Sequence, residues 1–276
     1  MRLISALALL SVVSLGARQS PKAPVPKTKR PVAVIAHRGG MGEAPENTKA
    51  AIENAIKRRV DWAEVDVRYA SDGTLILLHD NNLQRTTGEI GTVSEMPYQE
   101  LRKFNIPTFR EILELCRGKC NVYIHYKDGD ARAIWQEIRD TKMTKQVMVY
   151  IPLKDVAYWR KIAPLLPLMV RLPEAFRAPE KIKEFARQYP ISAIEGPTCN
   201  SYSKELIDAA HGCGLKVFLD CLGSAELPPF LKRLNDALDS PETYQQAIER
   251  GADAIQTDYP QRLLDYLKTH NPSAVK

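Results

Sequence analysis

His37 and Arg38 stand where an apolar run, VAVIA (32–36), breaks into Gly39 and Gly40. A histidine and an arginine at one strand tip put an acid/base group beside a bidentate anion clamp. In DWAEVDV (61–67), Ala63, Val65 and Val67 share one face of a strand, and Glu64 and Asp66 share the other. Alone, a Glu-x-Asp pair reads as a salt-bridging surface face. Beside His37 and Arg38 it reads better as a hard-cation site, because two buried carboxylates repel each other without a cation. His79 closes the apolar run LILLH and supplies a second acid/base candidate. His125 and Lys127 share a face in VYIHYKD and could add a nitrogen ligand and an ammonium for an anionic oxygen. Two acid/base histidines, two carboxylates, a further histidine, an arginine and a lysine suit metal-assisted attack on a phosphate ester.

These groups need elements that hold them. Strand candidates are VAVIA (32–36), DWAEVDV (61–67), LILLH (75–79), VYIHY (122–126), QVMVYI (146–151), LMVRL (168–172), ISAIEG (191–196), KVFLD (216–220) and ADAIQTD (252–258). Amphipathic stretches of helical period lie between most of them, such as TFREILELC (108–116), ARAIWQEIRD (131–140), KEFARQY (183–189) and SKELIDAAHGC (203–213). A further helix is expected to open at Ser240-Pro241-Glu242, with serine at the N-cap and proline at the first position. This alternation means parallel strands with crossover helices. About eight units fit a single-domain α/β fold of the (β/α)8 TIM-barrel type. A doubly wound open sheet is the alternative.

The formal charge of +6 is misleading until it is located. Residues 1–30 hold six Lys or Arg and no acid, and the remaining 33 bases and 33 acids balance. The folded part is near neutral, which gives no case for nucleic-acid binding. Residues 1–17 read as a secretory signal peptide: Met1-Arg2, an apolar run LISALALLSVVSL, then small residues. Export to the periplasm or exterior is expected, with no stable membrane insertion after cleavage. The Pro- and Lys-rich residues 18–31 read as a disordered lead-in. The barrel domain is expected over 32–272.

The chain resembles the glycerophosphodiester phosphodiesterases. The resemblance rests on HRG (37–39), PENT (45–48), EVDV (64–67), HDNNLQRTTGEIG (79–91), IPTFREIL (106–113) and TDYP (257–260), in the family's order and spacing. It implies a (β/α)8 barrel that hydrolyses a glycerophosphodiester, a small-molecule substrate, to sn-glycerol 3-phosphate and an alcohol with a divalent cation. By position it implies His37 and His79 as catalytic histidines and Arg38 as a phosphate contact. Glu64 and Asp66 would be metal ligands, and Lys127 matches the lysine two residues beyond the third ligand. There are two departures. The third ligand is usually glutamate in the family, and here it is His125. That exchange removes a hard oxygen, so Mn²⁺, Co²⁺ or Zn²⁺ would suit the site beside the family's Ca²⁺ or Mg²⁺. The bland alternative leaves His125 a hydrogen-bond partner of Glu64 or the substrate. Near the end of the seventh barrel strand the family's tryptophan is missing, and the stretch reads VFLDCLG, with Leu219 and Asp220. Residues 222–240 look like an added element.

Three rivals stay open: a phospholipid or lysophospholipid head-group phosphodiesterase of the sphingomyelinase D type, with PPFLKRL (228–234) as a weak surface loop; a non-catalytic binding barrel; and a glycoside hydrolase using Glu64 with Glu195. Oligomeric state is not legible. With five cysteines in an exported chain, a Cys199–Cys221 bridge is expected at one barrel end, and Cys116 could pair with Cys120 across the RGK turn.

Overall fold

The computed structural model describes residues 22–222 and 237–270. The strands are β1 (Ala33–Ala36), β2 (Trp62–Tyr69), β3 (Leu75–Leu77), β4 (Asn121–Tyr126), β5 (Val147–Tyr150), β6 (Leu168–Arg171), β7 (Ala193–Gly196), β8 (Lys216–Asp220) and β9 (Ala254–Thr257). Each of the nine strand candidates is present. Parallel pairing runs from β1 through β2, β4, β5, β6, β7, β8 and β9, and β1 also pairs with β9, so the sheet closes. Closure excludes the open doubly wound sheet and gives a TIM barrel.

β3 is the exception to the alternation. It pairs antiparallel with β2, with Val67 opposite Leu77. Only residues 70–74 connect them, too few for a crossover helix. Gly73, at φ 82°, turns the chain in that connection. The segment beyond β3 packs its own cluster, Leu83, Val93, Leu101 and Ile106 with Ile76 and Leu78. That satellite carries His79, Asp80 and Arg85 to the barrel mouth.

The helices follow their apolar periods and caps. The helix Phe109–Cys116 opens with a capping box in which Thr108 and Glu111 satisfy each other's backbone N–H groups. The helix Pro241–Arg250 starts at Ser240-Pro241 as expected, with Thr243 Oγ1 accepting the Ser240 N–H at 3.1 Å. Outward strand residues such as Ala63, Val65, Val67, Ile124 and Leu219 pack under the helices. Inward residues fill the lower barrel: Ile35, Trp62, Tyr123, Met148, Met169 and Phe218, with Trp62 edge-on to Phe218 at 6.0 Å. Burying each large apolar side chain stabilises the fold by ~1.5–3 kcal/mol.

Three expectations need comment. From Lys22 to Pro31 the lead-in makes specific contacts with the barrel. Ala23 is buried and its carbonyl accepts the Ser192 hydroxyl at 2.7 Å. The buried Asp61 carboxylate takes the Lys29 N–H at 2.6 Å, the Arg30 guanidinium at 2.8 Å and the Val34 N–H at 3.0 Å. A buried charge needs such partners, and the basic lead-in supplies them. Val25 packs on the lower barrel core. Second, the expected disulfides are absent, and all five cysteines are free thiols. Cys199 and Cys221 are neighbours, but Cys199 Sγ faces Gln246 Oε1 at 3.9 Å and Cys221 Sγ faces the Thr243 carbonyl at 3.7 Å. Cys120 Sγ turns to the Val60 carbonyl at 3.8 Å, while Cys116 packs into the core under the helices. Third, the signal segment 1–17 and most of the 222–240 element, including PPFLKRL, lie outside the described residues. No helix among the described residues is long and apolar enough to cross a membrane.

Candidate active site

The site begins where β1 ends. Arg38 takes a left-handed conformation, φ 48° and ψ 33°, which costs a non-glycine residue about 1–2 kcal/mol. The strain is held by its partners. The Arg38 N–H donates to Glu64 Oε2 at 2.7 Å, and its guanidinium meets Glu46 Oε1 at 3.0 Å and Asp66 Oδ2 at 3.4 Å. Gly39 follows at φ 84°, where a Cβ would lie 2.7 Å from Ala51 Cβ, so the turn against the next helix requires glycine.

Glu64 and Asp66 point inward from β2, both buried, as their strand phase predicts. Register sets His125 of β4 beside Asp66. Its Nδ1 lies 3.3 Å from Asp66 Oδ1 and 3.9 Å from Glu64 Oε1. Lys127 Nζ reaches Asp66 Oδ1 at 3.0 Å. Burial and the charge of Asp66 raise the Glu64 pKa. Burial acts on Asp66 too, but His125, Lys127 and Arg38 outweigh it and hold its carboxyl well below the usual range. Glu64, Asp66 and His125 offer ligand atoms that all lie within 4.8 Å of one another. Two carboxylates and an imidazole fit a divalent cation.

The two remaining histidines flank this cluster, and each is oriented by a carboxylate. His37 Nδ1 lies 2.7 Å from Asp258 Oδ1, and His79 Nδ1 lies 2.6 Å from Asp80 Oδ1. Burial would lower the His37 pKa, but the hydrogen bond and charge of Asp258 win and raise it. For His79 burial prevails over Asp66 and Asp80, and its pKa is lowered. With Nδ1 engaged, each ring keeps Nε2 for proton transfer. All seven residues singled out from sequence are thus brought to one barrel end.

A second ring of residues holds the first, and sequence reading did not assign it. Asn47, at φ 55°, donates from Nδ2 to Asp66 Oδ2 at 2.8 Å, and its Oδ1 accepts the Asp66 N–H at 3.1 Å. Arg85 bonds Glu46 through two nitrogens, at 2.5 and 2.8 Å, and Asp80 at 2.6 Å. Asp239 accepts the Asp258 N–H at 2.6 Å, the Thr257 hydroxyl at 2.6 Å and the Tyr244 hydroxyl. Glu46, Asn47, Asp80, Arg85 and Asp258 sit inside the PENT, HDNNLQR and TDYP strings, so those motifs were the available signal. Asp239 has no such signal.

A model of the glycerophosphoryl diester phosphodiesterase family matches residues 37–261. The chain belongs to that family. Its members are phosphoric diester hydrolases, and the match takes in every residue of the site. Glycerophosphodiester phosphodiesterase 1 of Rattus norvegicus is 38% identical over 105 residues, 33% of this chain. That stretch spans only 32% of the relative's own length. The glycerophosphodiester phosphodiesterase of Bacillus altitudinis is 25% identical over 252 residues, 83% of this chain and 95% of its own. Among solved structures, an Oleispira antarctica phosphodiesterase in complex with the product sn-glycerol 3-phosphate is similar in fold. Its TM-score is 0.65 at 20% identity, covering 86% of this chain and 96% of that one.

Proposed function

We propose that this phosphodiesterase cleaves glycerophosphodiesters to sn-glycerol 3-phosphate and an alcohol with the help of one divalent cation. The observation that carries the reading is the pair of carboxylate-held histidines, His37–Asp258 and His79–Asp80, flanking Glu64, Asp66 and His125. Glu64, Asp66 and His125 would hold the cation, which when bound draws charge from a phosphoryl oxygen and lowers the barrier to attack. The ammonium of Lys127 stands beside Asp66, within reach of the same phosphoryl oxygens. Arg38 is tied to Glu46 and Asp66, so it shapes the carboxylates and offers only its remaining N–H edge to phosphate. His79, with its pKa lowered, is suited to take the proton from the attacking oxygen. His37, with its pKa raised, is suited to give a proton to the oxygen of the departing alcohol as its bond to phosphorus breaks.

The product bound in the Oleispira antarctica structure supports the same product here. Export is part of the reading, carried by the apolar run of residues 3–15. The test is release of sn-glycerol 3-phosphate from glycerophosphocholine, glycerophosphoethanolamine and glycerophosphoinositol, with and without EDTA. A lysophospholipid arm tests the rival head-group reading. Turnover of at least one glycerophosphodiester, abolished by EDTA and restored by metal, is expected. Turnover of the lysophospholipid alone would overturn the reading.

A further inference from the structure

The barrel mouth has a second wall that the phosphate chemistry leaves unused. It is built by Tyr150 of β5, Arg171 of β6, Glu195 of β7, Asp220 of β8 and Gln256 of β9. The register makes it continuous: Arg171 lies opposite Glu195, and Asp220 lies opposite Gln256. Arg171 Nε donates to Glu195 Oε2 at 3.0 Å. Gln256 Nε2 donates to Asp220 Oδ1 at 3.1 Å, and Glu195 stands close enough to Asp220 to raise its pKa. The wall joins the reaction site at both ends. At one end, Gln256 lies two residues before Asp258, the partner of His37. At the other, the Tyr150 ring meets His125 edge-on at 4.9 Å.

Two features point to a ligand. Gln256 is only 4% exposed, and its Oε1 has no hydrogen-bond partner among the described residues. A buried acceptor left unpaired is costly, and a ligand donor would satisfy it. The Arg171 side chain is 49% exposed, so its terminal N–H groups form the open edge of the wall.

The donors and acceptors select the class of ligand. Burial, with Glu195 alongside, raises Asp220 well above the usual carboxylate range. Arg171 and Glu195 cancel. The wall alternates donors with acceptors along its length. A quaternary ammonium would cover these groups without replacing their water, because it has neither donor nor acceptor. Hydroxyl groups supply both.

We infer that this wall is the subsite for the alcohol esterified to the phosphate, and that it selects a hydroxyl-rich alcohol over a trimethylammonium one. The inference rests on the phosphodiesterase reading for its substrate frame.

The experiment measures binding apart from turnover. His79→Ala protein loaded with Mn²⁺ is titrated by calorimetry with glycerophosphoinositol and glycerophosphocholine, which share the glycerol half. Inositol ester binding at least tenfold tighter is expected. Arg171→Met and Asp220→Leu, each added to that background, should bring the ratio below threefold. Arg171→Met changes a half-exposed side chain, so it decides the matter if Asp220→Leu does not fold. Equal affinities in the parent, or a tenfold ratio that survives Arg171→Met, would overturn the inference. Failure of the wild-type protein to hydrolyse either ester, with the binding ratio intact, would count against the phosphodiesterase reading alone.

Discussion

At the scale of single residues, the account turns on two imidazoles held in opposite protonation preferences. His37→Ala and His79→Ala should each lower turnover by ~10²-fold or more, the usual loss of a positioned acid or base. Both proteins should keep a wild-type circular dichroism spectrum. Asp258→Asn tests the cause of the His37 shift. The Asp258 hydrogen bond and charge raise that pKa against burial, so removing the charge lowers it. A group that must be protonated then loses its proton sooner as pH rises. The alkaline limb of the kcat/KM profile should move to lower pH, with the acid limb, set by His79, in place. A profile unchanged on both limbs would remove Asp258 from the account. These histidines were legible in sequence because each closes an apolar run at a strand end. Asp258 was legible only as part of TDYP, since nothing in a sequence says which carboxylate faces which ring.

Among elements, the βα turn after β1 does most of the positioning. Asn47 holds Asp66 from both sides of its side-chain amide. Asn47→Ala should weaken metal binding by about 10–100-fold, the range for a partner that orients a ligand. Isothermal titration with Mn²⁺ measures it, and unaltered affinity would show that Asp66 holds its own rotamer. His125 makes the complementary prediction. His125→Glu restores a hard oxygen and a negative charge, so reactivation of metal-stripped protein should shift toward Ca²⁺ or Mg²⁺. Equal reactivation by Ca²⁺ before and after the change would contradict a tuning role. Strand phase made Glu64 and Asp66 readable, because period two puts them together on the inner face. β3 was readable as a strand but not as a hairpin arm, since its apolar run alone does not give direction. The thiol pair shows the same limit. Strand-end topology brought Cys199 and Cys221 together, yet adjacency alone does not form the bond.

For the whole molecule, the barrel is closed below by a segment whose composition reads as disordered. Breaking a buried ion pair from one side typically costs ~3–5 kcal/mol, because the partner charge stays behind. Asp61→Ala should therefore lower the melting temperature by several degrees and expose the 22–31 segment to limited proteolysis. Cleavage and melting like wild type would mean that the lead-in does not support the barrel. Low mean hydropathy and a run of bases hid this role, since the buried partner, Asp61, lies 31 or 32 residues away in sequence, beyond β1 and the helix that follows it. Fold class, by contrast, was legible from alternation alone, and closure follows from β1 pairing on both edges. The central claim is that this closed barrel gathers Glu64, Asp66 and His125 between two carboxylate-held histidines to hydrolyse glycerophosphodiesters. Phosphorus NMR of glycerophosphoethanolamine and glycerophosphoinositol incubated with Mn²⁺-loaded protein tests it most directly. The account predicts conversion of at least one diester resonance into that of sn-glycerol 3-phosphate, lost in Asp66→Asn. Diester signals that persist with wild-type protein, or conversion that continues undiminished in Asp66→Asn, would contradict it.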